Sequence, residues 1–352
     1  MPSPKNVAAI LLVAILAASI ASLLQSQHIS HNGFLHPKIA VDSSASNVPC
    51  DGYVGALQSL SDQHSHIDPG EINQLRRALA LDNPSCYDSH FSTFANLFKT
   101  RISTVKNHMF LHIPKAGGTS ICSLAKESGK QVETSGNNCW EKTHFYPLWC
   151  CFKFEDRPEW PSCEVLNEKL PEFVMNENYL DYPLCMQNRM YSTLIRDPID
   201  RAMSHELHLG NFPNVKDTYP TRLALGQHNY FTWAMTSGST MNRGNKTSFI
   251  PLPQHLELAM DTLSRFDFLL ELSLNNTCDT SILNFMGFGN HTEEPHKNSS
   301  AVLNPHEMLS RETYNEWNLL DKELFLYARR LMEVDCEFFV RLNKEEEVKD
   351  ST

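Results

Sequence analysis

The chain has 352 residues, 41% hydrophobic and 20% charged, which is ample apolar content for a packed core and excludes a wholly disordered protein. Its formal net charge is -11 and its isoelectric point is about 5.8, against a general nucleic-acid binder but compatible with a local basic pocket for a small anion. Ten cysteines are too few for a disulfide miniprotein and many for a cytosolic enzyme.

Residues 1–6 read as a short cytosolic tail carrying Lys5. Val7 to Leu24 follow without a charge, about eighteen residues, the lower limit for a helix that crosses a bilayer. This apolar stretch is longer than that of an ordinary signal peptide, so it reads as a signal anchor; Ala17, Ala18, Ser19 and Ala21 keep cleavage open as the alternative. Lys38 is the only positive charge in the twenty residues beyond the span, so the positive-inside bias puts the body of the protein in the lumen. Asn245, Asn275, Asn290 and Asn298 each open an N-glycosylation sequon. Cys139, Cys150, Cys151, Cys163 and Cys185 crowd one stretch and read as disulfide partners in an oxidising lumen. A zinc site is rejected, because no C-x-x-C occurs and Cys150 and Cys151 are adjacent.

Residues 25–104 read as a stem with one amphipathic helix at Glu71 to Leu81, pinned by Cys50 and Cys86. From about 105 short apolar runs alternate with helical patterns, the signature of an α/β domain with a parallel sheet, expected over 105–342. Subtracting span, stem and tail leaves roughly 240 residues, one large domain rather than the two that length alone would suggest. The charged end, 343–352, reads as a solvated, disordered tail.

Two motifs carry chemistry. The apolar run His108 to Ile113 suits a buried strand, and Pro114-Lys115-Ala116-Gly117-Gly118-Thr119-Ser120 follows before a helical pattern that Gly129 stops. Strand, glycine loop and helix N-terminus aim backbone N–H groups at an anion. The glycines permit close approach, Thr119 and Ser120 are placed to cap the helix and donate hydroxyls, and Lys115 adds a full charge. An ordinary strand–helix turn is the plainer alternative. Lysine before the glycines, not after them, excludes an NTP-hydrolysing P-loop. The second motif begins with the strand candidate Met190 to Ile195 and continues through Arg196-Asp197-Pro198 into a helix with Ser204 about two turns along. Arg196 at the strand end suits a phosphate; a salt bridge to Asp197 or Asp200 is its structural alternative.

Together HIPKAGGTS and LIRDPIDRAMSH resemble the two cofactor motifs of Golgi membrane-bound sulfotransferases, in the branch of heparan sulfate 2-O- and 6-O- and chondroitin or dermatan enzymes. Phe266 to Ser273 with Ile282 to Gly287, and Leu319 to Ala328, resemble the family's late strand, helix and closing helix more loosely. The resemblance implies a P-loop-like sulfotransferase fold, a central parallel sheet flanked by helices, behind a single-pass type II anchor. It implies 3'-phosphoadenosine 5'-phosphosulfate (PAPS) as sulfuryl donor, no metal, and a hydroxyl acceptor, a glycan first. By the same resemblance Lys115, Ala116, Gly117, Gly118, Thr119 and Ser120 hold the 5'-phosphosulfate, and Arg196 and Ser204 the 3'-phosphate. Lys115 is then catalytic, and His144, the only histidine between the motifs, is the candidate base with Glu141 and Glu155 behind it. His205 and His208 are candidate acceptor contacts, and Asn242 and Arg243 candidate nucleotide contacts. Tyrosine or lipid sulfation, and a non-catalytic lumenal binding protein on the same scaffold, are the competing functions. The expected partners are the acceptor and the membrane and not nucleic acid, with a homo-oligomer left open.

Overall fold

The computed structural model describes residues 50, 68–132, 139, 163, 171–176, 180, 184–209, 228–240, 251–271, 277–289 and 310–350. All of them belong to one compact unit, Val48–Thr352. The expected span at 7–24 and all four sequons lie outside the described residues, among which no helix is long and apolar enough to cross a membrane.

Asp68 starts α1 (Pro69–Asp82) by accepting from the Gly70 N–H at 2.9 Å, with proline at the first helical position. Asn83 then serves two helices. Its N–H closes α1 on the Leu79 carbonyl, and its side chain accepts from Cys86 N–H at 3.1 Å to start α2 (Pro84–Thr104). The helix expected at 71–81 is therefore present, but the stem expected over 25–104 is not what residues 69–104 form. Phe91, Phe94 and Phe98 of α2 are buried in the main core, and Phe98 meets the rings of Phe268, Phe338 and Phe339 edge-on. Arg101 grips Asp267 with two hydrogen bonds, of 2.6 and 2.9 Å, and donates to the carbonyls of Met186 and Arg189. Removing these helices would expose aromatic core and leave Asp267 as a buried charge, so the folded body begins before residue 105.

The sheet contains β1 (Asn107–Leu111), β2 (Phe173–Asn176), β3 (Arg189–Ile195) and β4 (Phe268–Glu271), in the spatial order β2-β1-β3-β4 and all parallel. Every residue of β3 is buried, as expected when helices cover both faces of a parallel sheet. The remaining helices are α3 (Gly118–Glu127), α4 (Pro198–Leu209), α5 (Tyr230–Thr240), α6 (Pro253–Arg265), α7 (Thr277–Phe285), α8 (Arg311–Trp317) and α9 (Leu319–Asp350). The expectation of a disordered tail from 343 fails, since α9 continues to Asp350. Its terminal Lys and Glu residues are strong helix formers, and Lys99 meets Glu346 at 3.3 Å. Asp335 of α9 accepts from Arg76 and Arg77 of α1 at 2.5 to 2.9 Å, an ion cluster closed to solvent.

Among the described residues four disulfides link Cys50–Cys86, Cys122–Cys139, Cys163–Cys185 and Cys278–Cys336. Cys150 and Cys151 lie outside the described residues. His90 approaches the first pair closely enough for a three-ligand metal cluster, but those two sulfurs are bonded to each other.

Candidate functional site

Order β2-β1-β3-β4 means that the chain leaves β1 toward one side of the sheet and later returns on the other. The crevice beyond the carboxyl ends of β1 and β3 is thus a topological switch point, where open α/β sheets bind ligands. Both motifs lie on the loops that leave these two strands. The Arg101–Asp267 network sits at the opposite, amino end, where Arg189 begins β3 and Asp267 precedes β4.

The first loop is a tight turn over Ile113–Ala116. The Ala116 N–H donates to the Ile113 carbonyl at 3.0 Å, with Pro114 at the second position and Lys115 at the third. Lys115 has φ +68°, the left-handed value that the third position of a type II turn requires and that glycine or asparagine normally supplies. A lysine there costs about 1–2 kcal/mol of backbone strain, the kind that persists at functional sites. Gly117, φ +88°, is the N-cap of α3, so Thr119 and Ser120 lie inside the first turn. Their expected capping role passes to the glycine. Thr119 is exposed and Ser120 half-buried, which leaves both hydroxyls at the helix end where an anion would sit. At its far end α3 closes as a Schellman motif, with Gly129 at φ +74° and Lys130 N–H on the Ala125 carbonyl.

Gly118 is glycine for another reason. A Cβ there would lie 2.0 Å from His112 Cδ2 and Nε2, so the imidazole occupies the space a side chain would need. His112 is 4% exposed and is the floor of the loop. Burial pushes its pKa down to about 3, with the Lys115 charge acting in the same direction, and the ring is neutral. Sequence reasoning gave His112 no role, although a second consecutive glycine in a helical conformation was the signal for a close neighbour.

The second loop carries Arg196, half-buried, whose Nη1 donates to the Lys115 carbonyl at 3.0 Å. The alternative of an Arg196 salt bridge is displaced by other uses of both carboxylates. Asp197 caps α4 by accepting from Ile199 and Asp200 N–H at 3.0 and 2.9 Å, and Asp200 meets Arg311 at 2.9 Å. Ser204 is half-buried on α4, one turn from His208. Burial, then the Lys115 charge, lowers the His208 pKa, so this end of α4 feels the first loop. Arg201, missed in the sequence, is fully buried and lies over the Tyr230 ring at 5.0 Å. Burial lowers its pKa to about 10; Asp321 and Tyr230 oppose that shift and Arg196 adds to it.

Lys115, Ala116, Gly117, Gly118, Thr119, Ser120 and Arg196 are therefore brought together at one end of the sheet, with Ser204 on the helix that follows. The candidate base His144, its substitutes Glu141 and Glu155, and Asn242 and Arg243 lie outside the described residues. Cys139, five residues ahead of His144 in the chain, is bonded to Cys122 of α3, and its carbonyl accepts from Met175 N–H of β2 at 3.1 Å. No protein-family model matches the chain, and no curated protein is similar enough to count as a relative.

Proposed function

We propose that the chain is a PAPS-dependent sulfotransferase with a P-loop-like fold, and that it transfers a sulfuryl group to a hydroxyl of a glycan. The observation that carries the reading is the contact between the two motif loops. Two anion-binding devices lie side by side at a switch point, one built on a helix N-terminus with a lysine and the other on an arginine fork. A nucleotide bearing a 5'-phosphosulfate and a 3'-phosphate offers one anionic group to each. The glycine at 118 leaves room for the His112 ring that floors the first device.

In this reading the α3 N-terminus and Lys115 take the 5'-phosphosulfate, and Arg196 with Ser204 takes the 3'-phosphate. Transfer breaks the bond between sulfur and the bridging oxygen, forms one to the acceptor oxygen, and leaves its charge on the departing phosphate. Lys115 meets that charge where it develops, and the acceptor loses its proton to a base, for which His144 is the candidate. The chemistry assigned to these residues uses no metal. Disulfides in the described unit favour an oxidising compartment, in keeping with a type II Golgi protein anchored through 7–24. Glycan sulfation is preferred to tyrosine or lipid sulfation, or to binding alone, on the motif resemblance.

Transfer of labelled sulfate from PAPS to a panel of glycans tests the reaction, and calorimetry with PAP, the desulfated product, in EDTA tests the site. No binding at millimolar PAP refutes the proposal. His144→Ala is expected to lower kcat by about 10²- to 10⁴-fold with little change in PAP affinity.

A further inference from the structure

We propose that Arg196, beyond holding the second phosphate, is a positioning residue for Lys115: by gripping the Lys115 carbonyl it keeps the lysine in the left-handed conformation from which it meets the 5' end of the donor. This rests on the functional reading above. The turn itself does not select that conformation. The bond from Ala116 N–H to the Ile113 carbonyl serves a type I turn equally well, and there a lysine in third position has an ordinary negative φ. The strained φ of +68° therefore needs support from outside the turn, and the structure supplies it from the neighbouring strand. One peptide unit, Lys115–Ala116, is held at both ends: its N–H by Ile113 within the loop, its carbonyl by Arg196 across the crevice. A guanidinium has five N–H donors in a rigid fork, so one is spent on this carbonyl while others remain for an anion. The two ends of the ligand site are thereby coupled through one side chain.

Arg196 then affects ligands that have no 3'-phosphate. Calorimetry on the full-length protein with adenosine 5'-phosphosulfate is the test. Arg196→Ala is expected to weaken this ligand by about 10-fold or more, the scale of a charge-assisted hydrogen bond. In a Lys115→Ala background the same change is expected to cost little, because there is no lysine left to position. Additive losses, or a loss confined to PAP, overturn the proposal. If the wild-type protein binds neither nucleotide, the functional reading fails, and a ligand-free measurement still judges the positioning. Lys115–Ala116 is the only Lys-Ala pair in the chain, so carbonyl-13C lysine with 15N alanine gives a single amide signal. That signal is expected to move in Arg196→Ala, and in Arg196→Lys should the first variant not fold, since an ammonium lacks the planar fork. An unmoved signal in a folded variant refutes the grip.

Discussion

Gly118→Ala is the sharpest probe of the loop's floor. An added Cβ would sit 2.0 Å from two atoms of the His112 ring and 2.5 Å from a third, so the imidazole must move. It is 4% exposed, enclosed by the fold. Overpacking of this kind costs about 1–3 kcal/mol, and alanine's better helix propensity returns less than about 1 kcal/mol at a first helical position. A net loss of about 1–2 kcal/mol corresponds to a fall in melting temperature of roughly 2–8 °C for a domain of this size. Thermal melts followed by circular dichroism at pH 7 provide the readout, with PAP affinity as the functional companion. His112→Ala makes the room that the extra methyl needs, so the double variant is expected to be less damaged than the sum of the singles, with a coupling of about 0.5–3 kcal/mol. Gly117→Ala is the contrast. Its cost of about 1–2 kcal/mol comes from φ +88° and is not relieved by His112→Ala. A Gly118→Ala protein that melts with the wild type, or singles that simply add, would refute the argument from the ring.

Other expectations rest on separate parts of the fold. Burial lowers the pKa of both His108 and His112 to about 3, so below pH 6.5 the unfolded chain takes up protons that the native one refuses. Stability therefore falls as pH drops from 7 toward 5, each of the two contributing up to about 1.4 kcal/mol per pH unit, and His208, His228 and His255, also lowered, act in the same sense. Urea titrations across that range check it, and His108→Gln is expected to flatten the slope. Asp335→Ala leaves Arg76 and Arg77 buried without their carboxylate and is expected to cost about 3–5 kcal/mol by denaturant titration. Burial raises the Asp335 pKa, but the charges and hydrogen bonds of Arg77 and Arg76 outweigh it and hold the group below 3.8; its share of stability is present above that value and is lost on further acidification. A chain cut to begin at residue 105 is expected to be insoluble, whereas one beginning at Val48 retains a cooperative melt.

The strands at the site were legible because each is a continuous apolar run feeding a loop with turn chemistry. Met190 to Ile195 and His108 to Ile113 predict β3 and β1 to within a residue or two. β2 had no such signal: Phe173–Asn176 is four residues, and pairing with β1 defines it as a strand. The core role of residues 69–104 was not legible locally. The partners of Arg76, Arg77 and Arg101, Asp335 and Asp267, are more than 150 residues away in sequence and no local pattern announces them. Likewise both loops of the site could be read from the chain, while the bond that joins them depends on β1 and β3 being neighbours in the sheet.

That distribution of partners also answers the objection that an acidic protein makes a poor host for a doubly phosphorylated ligand. At the amino end of the sheet Arg101 is paired with Asp267, and the Arg76 and Arg77 cluster is likewise paired with Asp335. Around the carboxyl end the balance differs. Asp197 turns its carboxylate to the first N–H groups of α4, and Asp200 turns outward to Arg311. Asp321, beside Arg201, also accepts from Phe231 N–H, Thr232 N–H and the Thr232 hydroxyl. Arg196 donates to the Lys115 carbonyl, and the fields of both register on their neighbours: they add to burial in lowering the pKa of His112, His208 and Arg201. A net charge of -11 sums over the whole surface, whereas an anion in the crevice feels the nearest groups most strongly, because screening and distance discount the rest.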